Sequence, residues 1–258
     1  MKKLFPLVFI MICFLSFAQE ITVIQNVKLF DGEQVYPNSQ ITIRDGLIEE
    51  ISTDSLDSQD GTIYIDGTGK TIMPGLINSH VHVWDKSQLK MAFKAGVFAV
   101  LDMNSPADYT NKLRDLRLSD RYARFYSSGY AATKAGGHGT QYGFKVPVIS
   151  DSLNEEAFVK HAVSLNSDYI KIIFEPVRPT LLLNQVKELI RQSHLHDLLA
   201  VAHISNLRDA LNLFNLGIDG LVHVWDDAVI SESEVDQLAS DDLFVIPTLS
   251  VHEKVKQY

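Results

Sequence analysis

Residues 65–82 read IDGTGKTIMPGLINSHVH, and the character of the sequence changes inside this stretch, at the Pro74-Gly75 pair. On its N-terminal side, short runs rich in β-branched residues are separated by turn residues such as the Asp45-Gly46 pair. Aspartate–glycine pairs between alternating runs favour β-hairpins. Residues 19–74 are therefore predicted to form a small antiparallel, β-sandwich-like subdomain.

On the C-terminal side, short apolar runs alternate with helical stretches, which is typical of βα units and a parallel sheet. A (β/α)8 barrel needs eight such units and typically about 250 residues. We predict an α/β fold, with residues 75–258 forming an incomplete (β/α)8 TIM barrel of about seven strands that lacks the eighth βα unit. The predicted strands cover residues 75–83, 97–103, 123–128, 169–174, 198–204, 220–225 and 243–249.

The N-terminus resembles a secretory signal peptide. Two lysines precede the apolar run 4–15, and small residues around Ala18 predict cleavage before Gln19. An uncleaved anchor is the alternative, but the run is shorter than the ~20 apolar residues that span a bilayer. We expect an exported protein, periplasmic or secreted, with a signal peptide over residues 1–18 and no stable membrane insertion after cleavage.

Composition excludes one class of partner. The chain has 258 residues, 46% of them hydrophobic, and a formal charge of −9. Nucleic-acid binding calls for a basic stripe, which this sequence does not offer. We expect a small-molecule substrate, and a homo-oligomer is compatible with the sequence.

His80 and His82 close the first predicted barrel strand. Residues two apart in a strand face the same side, so both imidazoles can point to one spot at the carboxyl end of the strand, where barrel enzymes build their sites. Neutral imidazole is a common zinc ligand. Taken alone, the pair leaves a metal site and a merely polar strand end equally open.

Lys171 lies within an apolar run that is typical of a strand buried on both faces. It either extends from the strand end or pairs with Glu175, or it is carbamylated and becomes a carboxylate-like metal ligand. His203 and His223 end the fifth and sixth predicted strands. Because these positions converge on one end of the strands, we predict a site for one or two divalent ions, with zinc expected.

The stretch 65–82 closely resembles the entry to the barrel in the amidohydrolase superfamily. Lys171 in its Ile-Lys-Ile setting and the run GIDGLVH at 217–223 are similar to the imidazolonepropionase and Xaa-Pro dipeptidase-like branch. The resemblance implies a metal-dependent hydrolase that attacks amides, cyclic amides or dipeptides with a metal-activated water.

Residue roles follow from the same resemblance. It implies that His80 and His82 hold one metal, that His203 and His223 hold the second, and that Lys171 lies between the two. Lys171 and His203 are accordingly the expected catalytic residues.

Two further residues are candidates for substrate binding. His138 lies in the glycine-rich loop 136–139, which is similar to a loop that borders the active site in that branch, although a plain turn is the alternative. Arg178 follows the fourth predicted strand and could pair with a substrate carboxylate, or it could be an ordinary surface arginine.

The sequence departs from the family pattern in two ways. Asn78 stands where the family usually has aspartate. The resemblance also implies an aspartate at the end of an eighth strand, for which we find no counterpart. The alternative function is therefore a catalytically inactive fragment or pseudo-enzyme with a partial metal site. A binding barrel without metal would leave Lys171 and the four strand-end histidines unexplained.

Overall fold

The computed structural model describes residues 20–53, 60–239, 243–250 and 253. The predicted signal peptide, residues 1–18, lies outside these ranges. Contacts divide the chain into two compact units, and the boundary between them falls between Pro74 and Gly75. Among the described helices, none combines the length and the apolar character needed to cross a bilayer.

The described part of the first unit forms one five-stranded sheet in which β3, β2, β1 and β4 lie side by side and β5 also pairs with β1. Its turn at Asp45 and Gly46 has positive φ angles of 50° and 80°, as a tight hairpin requires. The strands are β1 (Ile21–Phe30), β2 (Val35–Arg44), β3 (Leu47–Ser52), β4 (Thr62–Asp66) and β5 (Thr71–Ile72).

The prediction of an antiparallel subdomain is correct for β1, β2 and β3 and wrong for the other two strands. β4 and β5 both run parallel to β1. A two-residue turn can only reverse the chain, whereas the longer connection before β4 lets it return in the same direction. A second layer, which a sandwich needs, is not seen among the described residues of this unit.

The second unit alternates strands and helices, and its seven described strands all fall within the predicted ranges. Ser231 caps the last helix by accepting from the backbone of Glu234, whose side chain accepts from Ser231 in turn. The elements are β6 (Leu76–Val81), α1 (Lys86–Lys94), β7 (Val97–Asp102), α2 (Ala107–Arg114), β8 (Arg124–Ser127), α3 (Glu155–Ser164), β9 (Ile170–Ile173), α4 (Leu183–His194), β10 (Ala200–His203), α5 (Leu207–Phe214), β11 (Gly220–Val222), α6 (Glu232–Leu238) and β12 (Phe244–Ile246).

The seven strands form two parallel sheets, β6-β7-β8 and β9-β10-β11-β12. Backbone bonds at Ala132 join the second sheet to the segment after β8: its N–H donates to the Lys171 carbonyl at 2.7 Å, and its carbonyl accepts from Ile173 at 2.9 Å. Within the described residues β6 and β12 remain edge strands. The α/β fold is thus confirmed, while closure into a barrel is not seen.

The main core lies between the second sheet and its helices. All four residues of β9 are buried, which explains why its sequence is a continuous apolar run interrupted only by Lys171. Phe158 of α3 and Leu189 of α4 are at most 2% exposed in this core, and burying each such side chain stabilises the fold by roughly 1.5–3 kcal/mol. The parallel strands consequently present their carboxyl ends, and the loops that follow them, on the same side.

Candidate active site

The carboxyl ends of the strands bring a row of imidazoles together. The ring centroid of His80 lies 5.4 Å from that of His82 and 4.8 Å from that of His223. His203 lies 4.6 Å from His223 and 4.7 Å from His138. Four predicted metal-ligating histidines and one predicted substrate contact, which come from four different segments of the chain, therefore meet at one place.

These rings border a cavity of about 390 Å³. Arg178 is exposed and does not line it. Burial lowers the pKa of His138, and the positive charge of Arg178 adds to this effect. Burial raises the pKa of Tyr142, and the same charge opposes this rise. The lining residues are His80, Val81, His82, Met103, Asn104, His138, Tyr142, Lys171, Ile173, His203, His223 and Thr248.

Lys171 places a buried amine in the site. Its side chain points into the cavity lining although the residue is only 3% exposed, and its Nζ has no hydrogen-bond partner among the described residues. Burial lowers its pKa well below the usual value for a lysine. The two ordinary explanations, exposure at the strand end and pairing with Glu175, are not what the structure contains.

Burial favours the neutral form of His80, His82 and His203. Burial, together with nearby Lys171 and His223, lowers the pKa of His80 to about 2. Burial and the same lysine lower the pKa of His203 to about 2. Burial also lowers the pKa of His82. A neutral imidazole offers the lone pair that a metal ion needs.

Hydrogen bonds hold the ring of His223 and the backbone of His80. Thr248 Oγ1 lies 2.6 Å from His223 Nδ1. Asn78, which departs from the family pattern, accepts from the backbone N–H of His80 at 3.3 Å. The amide thus orients the strand end without adding a charge.

Glu175 is the main site residue that the sequence analysis did not assign. Its Oε2 lies 2.9 Å from His138 Nδ1 and 3.9 Å from His203 Nε2. The ligand atoms of these three residues lie within 4.8 Å of one another, a grouping that could also hold a metal ion. Its position directly after β9 was the available signal, since residues after parallel strands collect at one edge.

Asp102 is another residue that the sequence analysis did not assign, and its hydrogen bonds stabilise the segments next to the site. It ends β7, is fully buried, and accepts from the Val83 N–H and from the hydroxyls of Ser105 and Ser127 at 2.7–2.9 Å. Burial raises its pKa. Its charge in turn raises the pKa of His82, against the larger effect of burial.

Solved structures of other proteins superpose on this chain. A Xaa-Pro dipeptidase with bound methionine superposes with a TM-score of 0.78 at 22% identity, over 92% of this chain and 69% of the dipeptidase. The A. niger ochratoxinase superposes with a TM-score of 0.75 at 15% identity, over 93% and 67%. At these identities the likeness establishes the fold.

Sequence similarity points the same way. An enamidase from Eubacterium barkeri is 30% identical over 154 residues, which cover 54% of this chain and 39% of the enamidase. These names agree with the resemblance of residues 65–82 to the amidohydrolase superfamily. No model of a known protein family matches the chain. The relatives carry the names of enzymes, so the comparisons do not favour the inactive alternative; the chain matches well under half of the enamidase.

Proposed function

We propose that this chain carries the active site of a metal-dependent hydrolase that cleaves carbon–nitrogen bonds in amides, cyclic amides or dipeptides. One observation carries the proposal: four strand-end histidines and a buried, unpartnered lysine line a single cavity. The similarity to proteins named enamidase and Xaa-Pro dipeptidase supports the class of bond.

The residues present fit a divalent ion. His80 Nδ1 and Lys171 Nζ are buried and lack hydrogen-bond partners in the described part of the chain, and buried polar atoms of this kind call for an explanation such as an ion. We assign His80 and His82 to one ion, His203 and His223 to a second, and Lys171 to a position between them. Zinc suits a set dominated by imidazoles. A bound ion would supply a Lewis acid and lower the pKa of a coordinated water.

Lys171 would join the ligand set by reacting with carbon dioxide. Burial lowers its pKa, which favours the neutral amine with a free electron pair. A new N–C bond to carbon dioxide would form with loss of one proton, leaving a carbamate with anionic oxygens. This would turn an unpartnered buried amine into a ligand, and it gives Lys171 and His203 the catalytic roles.

Substrate contacts would come from the loops after the strands. His138 lines the cavity, while Arg178 lies outside its lining, where it could pair with a substrate carboxylate. Replacing Arg178 by alanine would then weaken binding of acidic substrates only.

Two features of the wider protein belong to the same proposal. The parallel sheets β6-β7-β8 and β9-β10-β11-β12 would be consecutive parts of an open (β/α) barrel, with a sandwich-like N-terminal subdomain. The protein would be exported, with cleavage before Gln19. N-terminal sequencing of the secreted or periplasmic product tests this, and an intact Met1 would contradict it.

The central test measures bound metal and released amine together. The chain would be purified from zinc-containing medium, its metal content measured, and amine release followed with panels of dipeptides and cyclic amides. His203→Ala should lose metal and turnover together. His161→Ala, a change of an exposed histidine in α3, is the matched control and should change neither. Equal metal content in both variants would contradict the proposal.

A further inference from the structure

Asn104 places a buried hydrogen-bond donor in the wall of the cavity. The residue follows β7 and is 2% exposed. Its Oδ1 accepts from the Ala131 N–H at 3.1 Å, which fixes which end of the amide faces the cavity. Its Nδ2 is buried and has no partner among the described residues. Buried donors are nearly always paired, so this N–H₂ group indicates that a ligand supplies the acceptor.

His138 contributes the opposite kind of group. Its Nδ1 lies 2.9 Å from a carboxylate oxygen of Glu175. Because a carboxylate accepts, this contact favours the tautomer that carries the proton on Nδ1 and leaves the lone pair on Nε2. The hydroxyl of Tyr142 lies 3.4 Å from Nε2, which is long for a hydrogen bond. A substrate donor at a shorter distance would form a stronger one.

The loop that carries His138 is fixed against its surroundings. Its carbonyl accepts from Thr133 Oγ1 at 2.8 Å. Gly137 leaves no room for a side chain, since a Cβ would lie 2.6 Å from the Pro179 carbonyl oxygen. A Cβ on Gly139 would lie 3.6 Å from Asn104 Nδ2. The donor and the acceptor therefore sit on adjoining parts of one wall.

We propose that Asn104 Nδ2 and His138 Nε2 together bind the carbonyl oxygen and the N–H of one secondary amide or lactam group in the substrate, with Glu175 as the residue that positions His138. The choice of a carbon–nitrogen substrate rests on the proposed function. The donor and acceptor assignment rests on the geometry of these three side chains and does not require turnover.

Three probes of nearly equal shape test the pair without requiring turnover. 2-Pyrrolidinone has both a carbonyl and an N–H, N-methyl-2-pyrrolidinone lacks the N–H, and cyclopentanone lacks the nitrogen. Saturation-transfer NMR titrations on the chain, with and without zinc, should show 2-pyrrolidinone binding about tenfold more tightly than the N-methyl compound, as expected for one hydrogen bond. Equal affinities for these two lactams in the unmodified chain would overturn the proposal.

Two variants separate the roles. Asn104→Asp keeps the acceptor for Ala131 but faces the substrate carbonyl with a carboxylate oxygen, so all three probes should bind at least tenfold more weakly while zinc content is unchanged. Glu175→Gln, which can also donate to His138 Nδ1, should reduce the preference for 2-pyrrolidinone over its N-methyl analogue to threefold or less. Asn38→Asp, at an exposed position in β2, is the control for the added charge and should behave like the unmodified chain.

The outcomes distinguish this inference from the proposed function. Normal zinc content with unchanged lactam binding in Asn104→Asp overturns the inference and leaves the metal site intact. Loss of zinc in Glu175→Gln shows that the carboxylate is a ligand, which also overturns the positioning role. A chain that prefers 2-pyrrolidinone but binds no metal supports the inference and contradicts the proposed function.

Discussion

Two cavities of nearly equal size lie along the strands of the second unit. They differ in whether the polar groups that line them have partners within the protein. The candidate active site, about 390 Å³, is lined by residues at the carboxyl ends of the strands, including Lys171 of β9. The other, about 380 Å³, is lined by residues such as Ile77 of β6, Leu101 of β7 and Tyr169, which immediately precedes β9. We call the second one the apolar cavity.

Two buried or half-buried polar groups that line the apolar cavity, on Asp168 and Tyr169, have partners within the protein. Asp168 is bound by the guanidinium groups of Arg114 and Arg117. The Tyr169 hydroxyl donates to the Asp102 carbonyl at 2.7 Å. The active-site cavity, by contrast, has buried nitrogens without partners on Lys171, His80 and Asn104, within the part of the chain described. The difference indicates that the paired groups on Asp168 and Tyr169 stabilise the fold, whereas the three buried nitrogens of the active-site cavity are available to a ligand.

The largest expected effect comes from replacing Lys171 with methionine, which has a similar length and no polar atom. If the amine becomes a metal ligand, turnover should fall on the order of a thousandfold, because metal-assisted catalysis is worth several kcal/mol. In the metal-free chain the same change should raise the free energy of unfolding by about 1–3 kcal/mol, because a buried, unpartnered amine is removed. Amine-release assays and urea unfolding in EDTA measure the two quantities.

A simultaneous fall in both quantities would show that Lys171 stabilises the fold and would weaken the contrast between the cavities. His161→Ala is again a suitable control for handling and purification, since this exposed histidine lies outside both cavity linings.

The second effect should appear at Asp168, which joins α2 to the start of β9. The carboxylate contacts Arg114 and Arg117 and accepts from the Ser127 N–H at 2.8 Å. Asp168→Asn should lower the free energy of unfolding by about 2–3 kcal/mol, since it leaves two partly buried guanidinium groups without a charge partner. Metal content should not change. Loss of metal at unchanged stability would reverse the assignment of the two cavities.

Sequence patterns predicted the second unit better than the first. Apolar runs separated by helical stretches fixed the positions of all seven described strands, because parallel strands covered on both sides need continuous apolar runs. The direction of β4 and β5 could not be predicted in this way. Strand direction depends on the path of the connection between strands, and the residues of the strand itself do not indicate it.

The residues of the candidate site also divide into those that the sequence predicts and those that it does not. His80, His82, His203 and His223 were predictable because each stands at or directly after the end of an apolar run, where parallel strands converge. Asn104 and Tyr142 were not, because loops bring them to the cavity. The position of Glu175 after β9 was a signal, but the sequence analysis considered this residue only as a partner of Lys171. The contact between Glu175 and His138 joins positions 37 residues apart in the numbering, and loop geometry alone determines it.

The third effect is a pH dependence that belongs to the active-site cavity. The pKa values of His80 and His203 are about 2 in the folded chain, against about 6.5 when unfolded. Between these values the unfolded state binds more protons, so the free energy of unfolding should fall as the pH falls below about 6.5 and be fully retained above it. Each histidine contributes up to about 1.4 kcal/mol per pH unit.

Urea unfolding at pH 7, 6 and 5 in EDTA measures this slope. His203→Asn should reduce it by roughly one histidine's share, while His161→Asn should leave it as it is. A slope that is unaffected by the first change would mean that protons reach His203 in the folded chain, contrary to its burial.

The smallest effect should come from Tyr169→Phe, and its sign matters more than its size. Tyr169 is 6% exposed as a whole residue. The change removes its hydroxyl, which donates to the carbonyl of Asp102. The free energy of unfolding should fall by about 0.5–1.5 kcal/mol, the usual net value of one hydrogen bond, with metal content unchanged. Lys171→Met also removes one buried polar group but should raise the same quantity, because the lysine amine has no partner to lose. If both variants shifted the urea midpoint in the same direction, the two cavities would not differ in whether their polar groups have partners within the protein.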